Sequence, residues 1–95
     1  MSSPNLRQRL EALLADDPAL YDQLCEAGLV PRDEAALAPD HLETARVVRT
    51  LVHELEVNWA GVEVVLHMRA ELVATRRQLA QLAALLRQQQ RTRDG

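Results

Sequence analysis

The stretch DPALYDQLCEAGLVPR, from Asp17 to Arg32, holds a helix start, a helix body and a helix stop within sixteen residues. Asp17 can cap free amide groups, and Pro18 fits the first helical position, where no backbone donor is needed. Leu20, Leu24 and Ala27 then recur at helical spacing and predict one apolar face. Gly28 ends the helix, as glycine does where the backbone must turn left-handed, and Leu29, Val30 and Pro31 leave it extended. The outward positions of this helix are Ala19, Asp22, Gln23 and Glu26. Cys25 falls opposite the acids and reads as a small core residue.

Upstream, Ser3 and Pro4 predict a capped start for a first helix through Leu6, Leu10, Leu13 and Leu14, which Asp16, Asp17 and Pro18 stop. Downstream, Arg32 to Pro39 reads as a loop or a short helical turn. Asp40 and Glu43 have capping-box spacing and predict a third helix through Leu42, Ala45, Val48, Val52 and Leu55. Asn58 is placed to cap a long last helix from Trp59 to about Gln90, with Trp59 as a core plug in its first turn. Gly61, in the same turn, costs up to about 1 kcal/mol relative to Ala and can admit a close neighbour. Val65, Met68, Leu72, Thr75, Leu79, Leu82 and Leu86 alternate steps of three and four. That is a heptad seam with one polar interruption, suited to pairing with a second chain; the alternative is a helix folded back on its own domain. The polar tail to Gly95 reads as frayed. The expected division is residues 1–57, a helical module; 58–90, a dimerisation helix; and 91–95, a flexible tail.

Composition narrows the function classes. In 95 residues there is no Phe, the only rings besides histidine are Tyr21 and Trp59, and the only glycines are Gly28, Gly61 and Gly95. The expected core is therefore aliphatic and the fold all-α, with too little glycine for a phosphate-cradling loop. Every basic residue is Arg, which excludes lysine Schiff-base chemistry. Cys25 is alone, so no internal disulfide or cysteine zinc cluster can form, and a reduced, cytoplasmic setting fits. No secretory leader pattern or membrane-spanning run is expected. His41, His53 and His67 lie too far apart for a short helical metal pair. His41 reads as a surface residue and His53 as a neighbour of Glu56. Glu54 and Glu56 fall on different helical faces, against a paired acid–base site. Ser2, Ser3 and Cys25 have no neighbouring His in sequence. No catalytic residue, cofactor or metal is expected, and the chain reads as an interaction protein rather than an enzyme.

Charge is unevenly spread. Residues 1–43 hold three Arg against nine acids, and residues 44–95 hold eight Arg against five, so a front of −6 precedes a rear of +3. Arg69, Arg76, Arg77, Arg87, Arg91 and Arg93 read chiefly as solvating or cross-pairing a coiled coil, with nucleic-acid contact the lesser reading.

The order of elements around Asp17, Pro18, Gly28, Leu29, Val30, Pro31, Arg32, Asp40 and Leu42 resembles the MerR family of winged helix-turn-helix regulators. The segment from His53 to Val62, HELEVNWAGV, with Val64 and Leu66 beyond it and the Arg- and Gln-rich leucine seam, is similar to the CbpM chaperone modulators. These are MerR-like proteins that bind the J-domain of DnaJ- or CbpA-type co-chaperones and restrain their work with DnaK. The resemblance implies that same activity; the heptad seam implies a homodimer, and the expected wing is reduced. The resemblance also implies a J-domain partner presenting a basic helix beside a His-Pro-Asp loop. The helical opening departs from that family, which usually opens with a short strand.

A DNA-reading second helix supplies basic or amide groups to the groove, whereas this one offers Asp22 and Glu26 and contains no Arg. The expected wing, Asp33 to Pro39, has two acids and no basic or aromatic residue. On this reading Asp16, Asp22, Glu26 and Asp33 steer a basic partner while Leu20, Tyr21 and Leu29 anchor it. Val65, Met68, Leu72, Leu79, Leu82 and Leu86 carry dimerisation. The runner-up, a DNA-binding regulator, requires Arg7, Arg9, Arg32, Arg46 and Arg49 to converge. A third reading is a structural coiled-coil adaptor.

Overall fold

A computed structural model describes residues 5–94. It has four α-helices: α1 (Leu6–Leu13), α2 (Pro18–Glu26), α3 (Pro39–His53) and α4 (Trp59–Asp94), with a 3-10 turn at Glu34–Ala36. There is no strand among the described residues, so the all-helical expectation holds. The chain divides into two units, one ending at Asn58 and the other beginning at Trp59.

In the first unit each helix start has a local chemical cause. Ser3 and Pro4 lie outside the described residues, and Asn5 caps α1. Its Oδ1 accepts from the Gln8 N–H at 2.8 Å, and Gln8 Oε1 accepts from the Asn5 N–H at 3.0 Å. Two free helical donors are thus satisfied reciprocally. Asp17 caps α2 as expected, Oδ1 accepting from the Leu20 N–H at 3.0 Å, with Pro18 in the first turn. The end of α2 is a Schellman turn: Leu29 N–H donates to the Leu24 carbonyl and Gly28 N–H to the Cys25 carbonyl. Gly28 has φ +75°, the left-handed conformation that glycine adopts without steric cost.

The start of α3 differs from expectation. Pro39 opens the helix after Ala38, so Asp40 already lies inside the first turn and cannot be the cap. His41 takes over part of that role, its Nδ1 accepting from the Ala38 N–H at 2.9 Å. The helix also stops at His53, so Leu55 lies beyond it and is 63% exposed rather than part of the core face. The chain leaves α3 through Glu56 at φ 54°, and Val57 N–H donates back to the Leu51 carbonyl at 2.9 Å.

The interior of this unit is aliphatic. Leu10 and Leu14 from α1 and its end, Leu20 and Leu24 from α2, Val30 after it, and Leu42, Ala45 and Val48 from α3 are all buried. Leu6, Leu13 and Val52 are half-buried, Cys25 is half-buried rather than enclosed, and Ala27 is exposed at the end of α2. α1 packs on α3. Each enclosed Leu or Val contributes about 1.5–3 kcal/mol of transfer free energy; among the described residues no polar residue is wholly buried, but the Tyr21 hydroxyl and Arg49 Nε are shut off from solvent without a hydrogen-bond partner and oppose that gain.

The second unit is α4, 36 residues long and about 54 Å by helical rise. It continues to Asp94, past Gln90 and through most of the expected tail. Val62 is its buried residue, and Trp59, Val65 and Leu66 are half-buried. No helix among the described residues is long and apolar enough to cross a membrane.

Candidate partner-binding site

The outward face of α2 carries the acidic positions where the sequence placed them. Ala19, Asp22, Gln23 and Glu26 are all exposed. Asp22 and Glu26 stand one turn apart. Asp22 meets Arg32 only loosely, at 3.7 Å with both side chains more than 60% exposed, and Glu26 has no ion-pair partner among the described residues. Such an exposed pair holds little energy and leaves both groups available to another charge.

The other two acids expected to steer a partner are engaged within the unit. Asp16 Oδ2 accepts from Arg49 Nη2 at 2.9 Å. That hydrogen bond holds the Asp16 carboxyl below its ordinary value of 3.8, with Arg49 and His53 charge adding to the effect. Asp33 Oδ1 accepts from the Ala35 N–H at 3.0 Å and caps the 3-10 turn. Asp17, beside Asp16, serves twice: Oδ1 caps α2 while Oδ2 accepts from His53 Nε2 at 2.8 Å. Nothing in sequence marks these pairs, because 33 residues separate Asp16 from Arg49 and 36 separate Asp17 from His53. Together they fasten the α1–α2 corner to the second half of α3. The neighbour expected for His53, Glu56, has no such bond to it.

The apolar anchors need revision. Leu20 is 3% exposed and belongs to the core, so it cannot contact a partner; its i, i+4 spacing with Leu24 turns it inward. Leu29 is half-buried and keeps part of its surface. Tyr21 is half-buried, and its ring lies 5.6 Å from the Arg7 guanidinium carbon, a cation–π arrangement missed from sequence. Its hydroxyl is shut off from solvent without a hydrogen bond of good geometry. Burial raises its pKa, the Cys25 thiol adds to this, and Arg7 and Arg32 oppose it. The part of Tyr21 open to a partner is therefore ring, not hydroxyl.

Two of the five arginines that a DNA surface would need are occupied. Arg7 Nε donates to Glu11 Oε1 at 3.0 Å and its Nη1 to the Arg32 carbonyl at 3.1 Å. Arg49 is bound to Asp16, and Arg32 is beside Asp22. Arg9 and Arg46 are exposed, on α1 and α3. Arg7 and Arg49 thus face carboxylates at hydrogen-bond distance, while Arg32 is only loosely paired.

On α4 the expected seam is open. Met68, Leu72, Leu79, Leu82 and Leu86 are between 49% and 61% exposed, Val65 is half-buried, and Val64, Val73 and Leu85 add further apolar surface. His67 and Glu71 pair at 3.1 Å on this helix. No group of three or more metal-ligating side chains converges among the described residues. The chain matches no family model, no curated protein and no solved structure.

Proposed function

We propose that this protein is a cytoplasmic chaperone modulator of the CbpM type. It binds the J-domain of a DnaJ- or CbpA-like co-chaperone and restrains stimulation of DnaK. The observation that carries the reading is the exposed Asp22 and Glu26 pair on α2, the helix that would enter a DNA groove in a MerR-like helix-turn-helix protein. Carboxylates there repel phosphate, whereas a basic helix is drawn to them. Leu29 and the Tyr21 ring edge supply the apolar contact beside them, and the 3-10 turn at Glu34–Ala36 stands in place of a wing. The same reading makes the chain a homodimer through the α4 seam, where Leu72, Leu79, Leu82 and Leu86 would otherwise remain in water. It needs no catalytic group, cofactor or metal.

The direct test is titration of the full chain into a purified J-domain. Wild type binds, and the D22K/E26K double variant, with an unchanged helical spectrum, binds at least tenfold more weakly. Equal binding by the two proteins removes this face from the account. The DNA-regulator reading is tested by gel shift against duplex at varied salt. Engagement of Arg7 and Arg49 by carboxylates argues against it.

A further inference from the structure

Between Glu71 and Asp94 the sequence of α4 holds Arg76, Arg77, Arg87, Arg91 and Arg93 and no acid. At 100° per residue, Arg76, Arg77, Arg87 and Arg91 share one sector about 100° wide, beside the leucine seam. From residue 76 to residue 91 the only other occupants of that sector are Ala80 and Ala84. All six residues are exposed, and none of these four arginines forms an ion pair among the described residues. Arg69 lies in the same sector but is already engaged within the chain.

Arginines that only keep a helical pair in solution are normally matched by acids one turn away. Arg76, Arg77 and Arg87 have no acid three or four residues distant, and Arg87 and Arg91, four apart, repel each other. The strip also stays open when α4 pairs. With Val65, Leu72, Leu79 and Leu86 in the heptad seam, Arg77, Arg87 and Arg91 fall on the outer side, whichever way the second helix runs.

The spacing fits one class of polyanion. By helical rise Arg77 and Arg87 stand about 15 Å apart, with small side chains between them. The major groove of B-form DNA is about 12 Å wide and is rimmed by the two phosphate strands. A helix crossing it can set Arg76 and Arg77 on one strand and Arg87 and Arg91 on the other, while Ala80 and Ala84 permit close approach. Each guanidinium fork can donate two hydrogen bonds to a phosphate. Beyond Trp59 there is no Phe, Tyr or Trp on which an unpaired base could stack, and A-form RNA closes its major groove to side chains.

We infer that the Arg76, Arg77, Arg87 and Arg91 strip of α4 is a docking surface for duplex DNA, holding the phosphates on both sides of the major groove without reading the sequence. The strip uses none of the residues proposed to receive a J-domain, so the two readings stand or fall separately.

The test titrates the full chain into a fluorescent duplex of about 30 base pairs and mixed sequence, followed by anisotropy. Four phosphate contacts give a slope of log affinity against log salt of about −3.6, so binding weakens roughly 100-fold between 50 and 200 mM salt. R87Q/R91Q, with an unchanged helical spectrum, halves that slope and weakens binding roughly tenfold at 50 mM salt. Duplexes of unrelated sequence bind equally, and R9Q/R46Q, which alters the exposed arginines of the first unit, leaves binding unchanged. Absence of duplex binding at 50 mM salt, equal binding by wild type and R87Q/R91Q, or loss of binding in R9Q/R46Q overturns the inference. Tighter binding to polyglutamate or to phosphatidylserine vesicles than to duplex assigns the arginines to an acidic protein or a membrane surface and also overturns it.

Discussion

Asp17 carries two structural tasks on one carboxylate, and separating them tests how the α2 face is held. Its Oδ1 caps α2 through the Leu20 N–H at 3.0 Å, and its Oδ2 receives His53 Nε2 at 2.8 Å. Removing a helix cap costs about 0.5–2 kcal/mol. The His53 contact, with side chains 32% and 25% exposed, is worth about 0.2–1 kcal/mol. Asp17→Ala should therefore lose about 0.7–3 kcal/mol. Asp17→Asn keeps a competent cap, weakens only the His53 bond, and should lose less than about 1 kcal/mol. His53→Ala should match Asp17→Asn. The Asp17→Ala/His53→Ala double variant should lose less than the sum of the singles, because each single removes the same bond. Urea unfolding at pH 7 followed by circular dichroism gives the values, and each kcal/mol lowers the thermal midpoint by about 4–8 °C for a chain of this size. Equal losses in Asp17→Ala and Asp17→Asn would refute the capping role. Strict additivity with His53→Ala would refute the bond.

Four further outcomes follow from other positions. Leu24→Ala empties a fully enclosed site and should cost about 2–5 kcal/mol, enough to abolish a cooperative urea transition in so small a unit. Glu56→Gly relieves a left-handed backbone and should be neutral or stabilising by up to about 1 kcal/mol, measured by thermal melting. Gly28→Ala should cost about 1 kcal/mol in the same assay, since the added Cβ meets no atom within 4 Å and only the φ of +75° penalises it. Because Arg49 lowers the folded-state pKa of Asp16, the pair adds stability above the ordinary carboxylate value of 3.8 and loses it as pH falls through the lower folded value. Arg49→Gln should flatten that part of the acid-unfolding curve.

Local signals carried much of the fold. Asp17, Pro18 and Gly28 state the limits of α2 because capping and left-handed turning depend on near neighbours alone. The three-and-four spacing placed Leu10, Leu14, Leu24, Leu42, Ala45 and Val48 on core faces, where they lie, but it also took in Ala27 and Leu55, which are exposed, and did not mark Val30 or Val62, which are buried. Two errors came from competition between equally local signals. Pro39 opened α3 ahead of the Asp40–Glu43 pattern, and the backbone turn at Glu56 cut off the apolar spacing before Leu55. Leu20 was misassigned because one helix has both a partner-facing and a core-facing side, and periodicity alone gave it to both. The Asp16–Arg49, Asp17–His53 and Arg7–Tyr21 contacts depend on how helices pack, which spacing in one chain does not encode. The outward turn of Asp22 and Glu26, which bears the functional reading, was legible from the helical period.

On this account carboxylates on α2 have turned a nucleic-acid scaffold toward a basic protein surface. The measurement that bears on it most directly is DnaK ATPase activity stimulated by a J-domain protein, followed as the full chain is added. The account predicts that stimulation falls in a saturable way and that D22K/E26K leaves it unchanged. Undiminished stimulation at saturating wild-type protein, together with tight, salt-sensitive duplex binding, would contradict it.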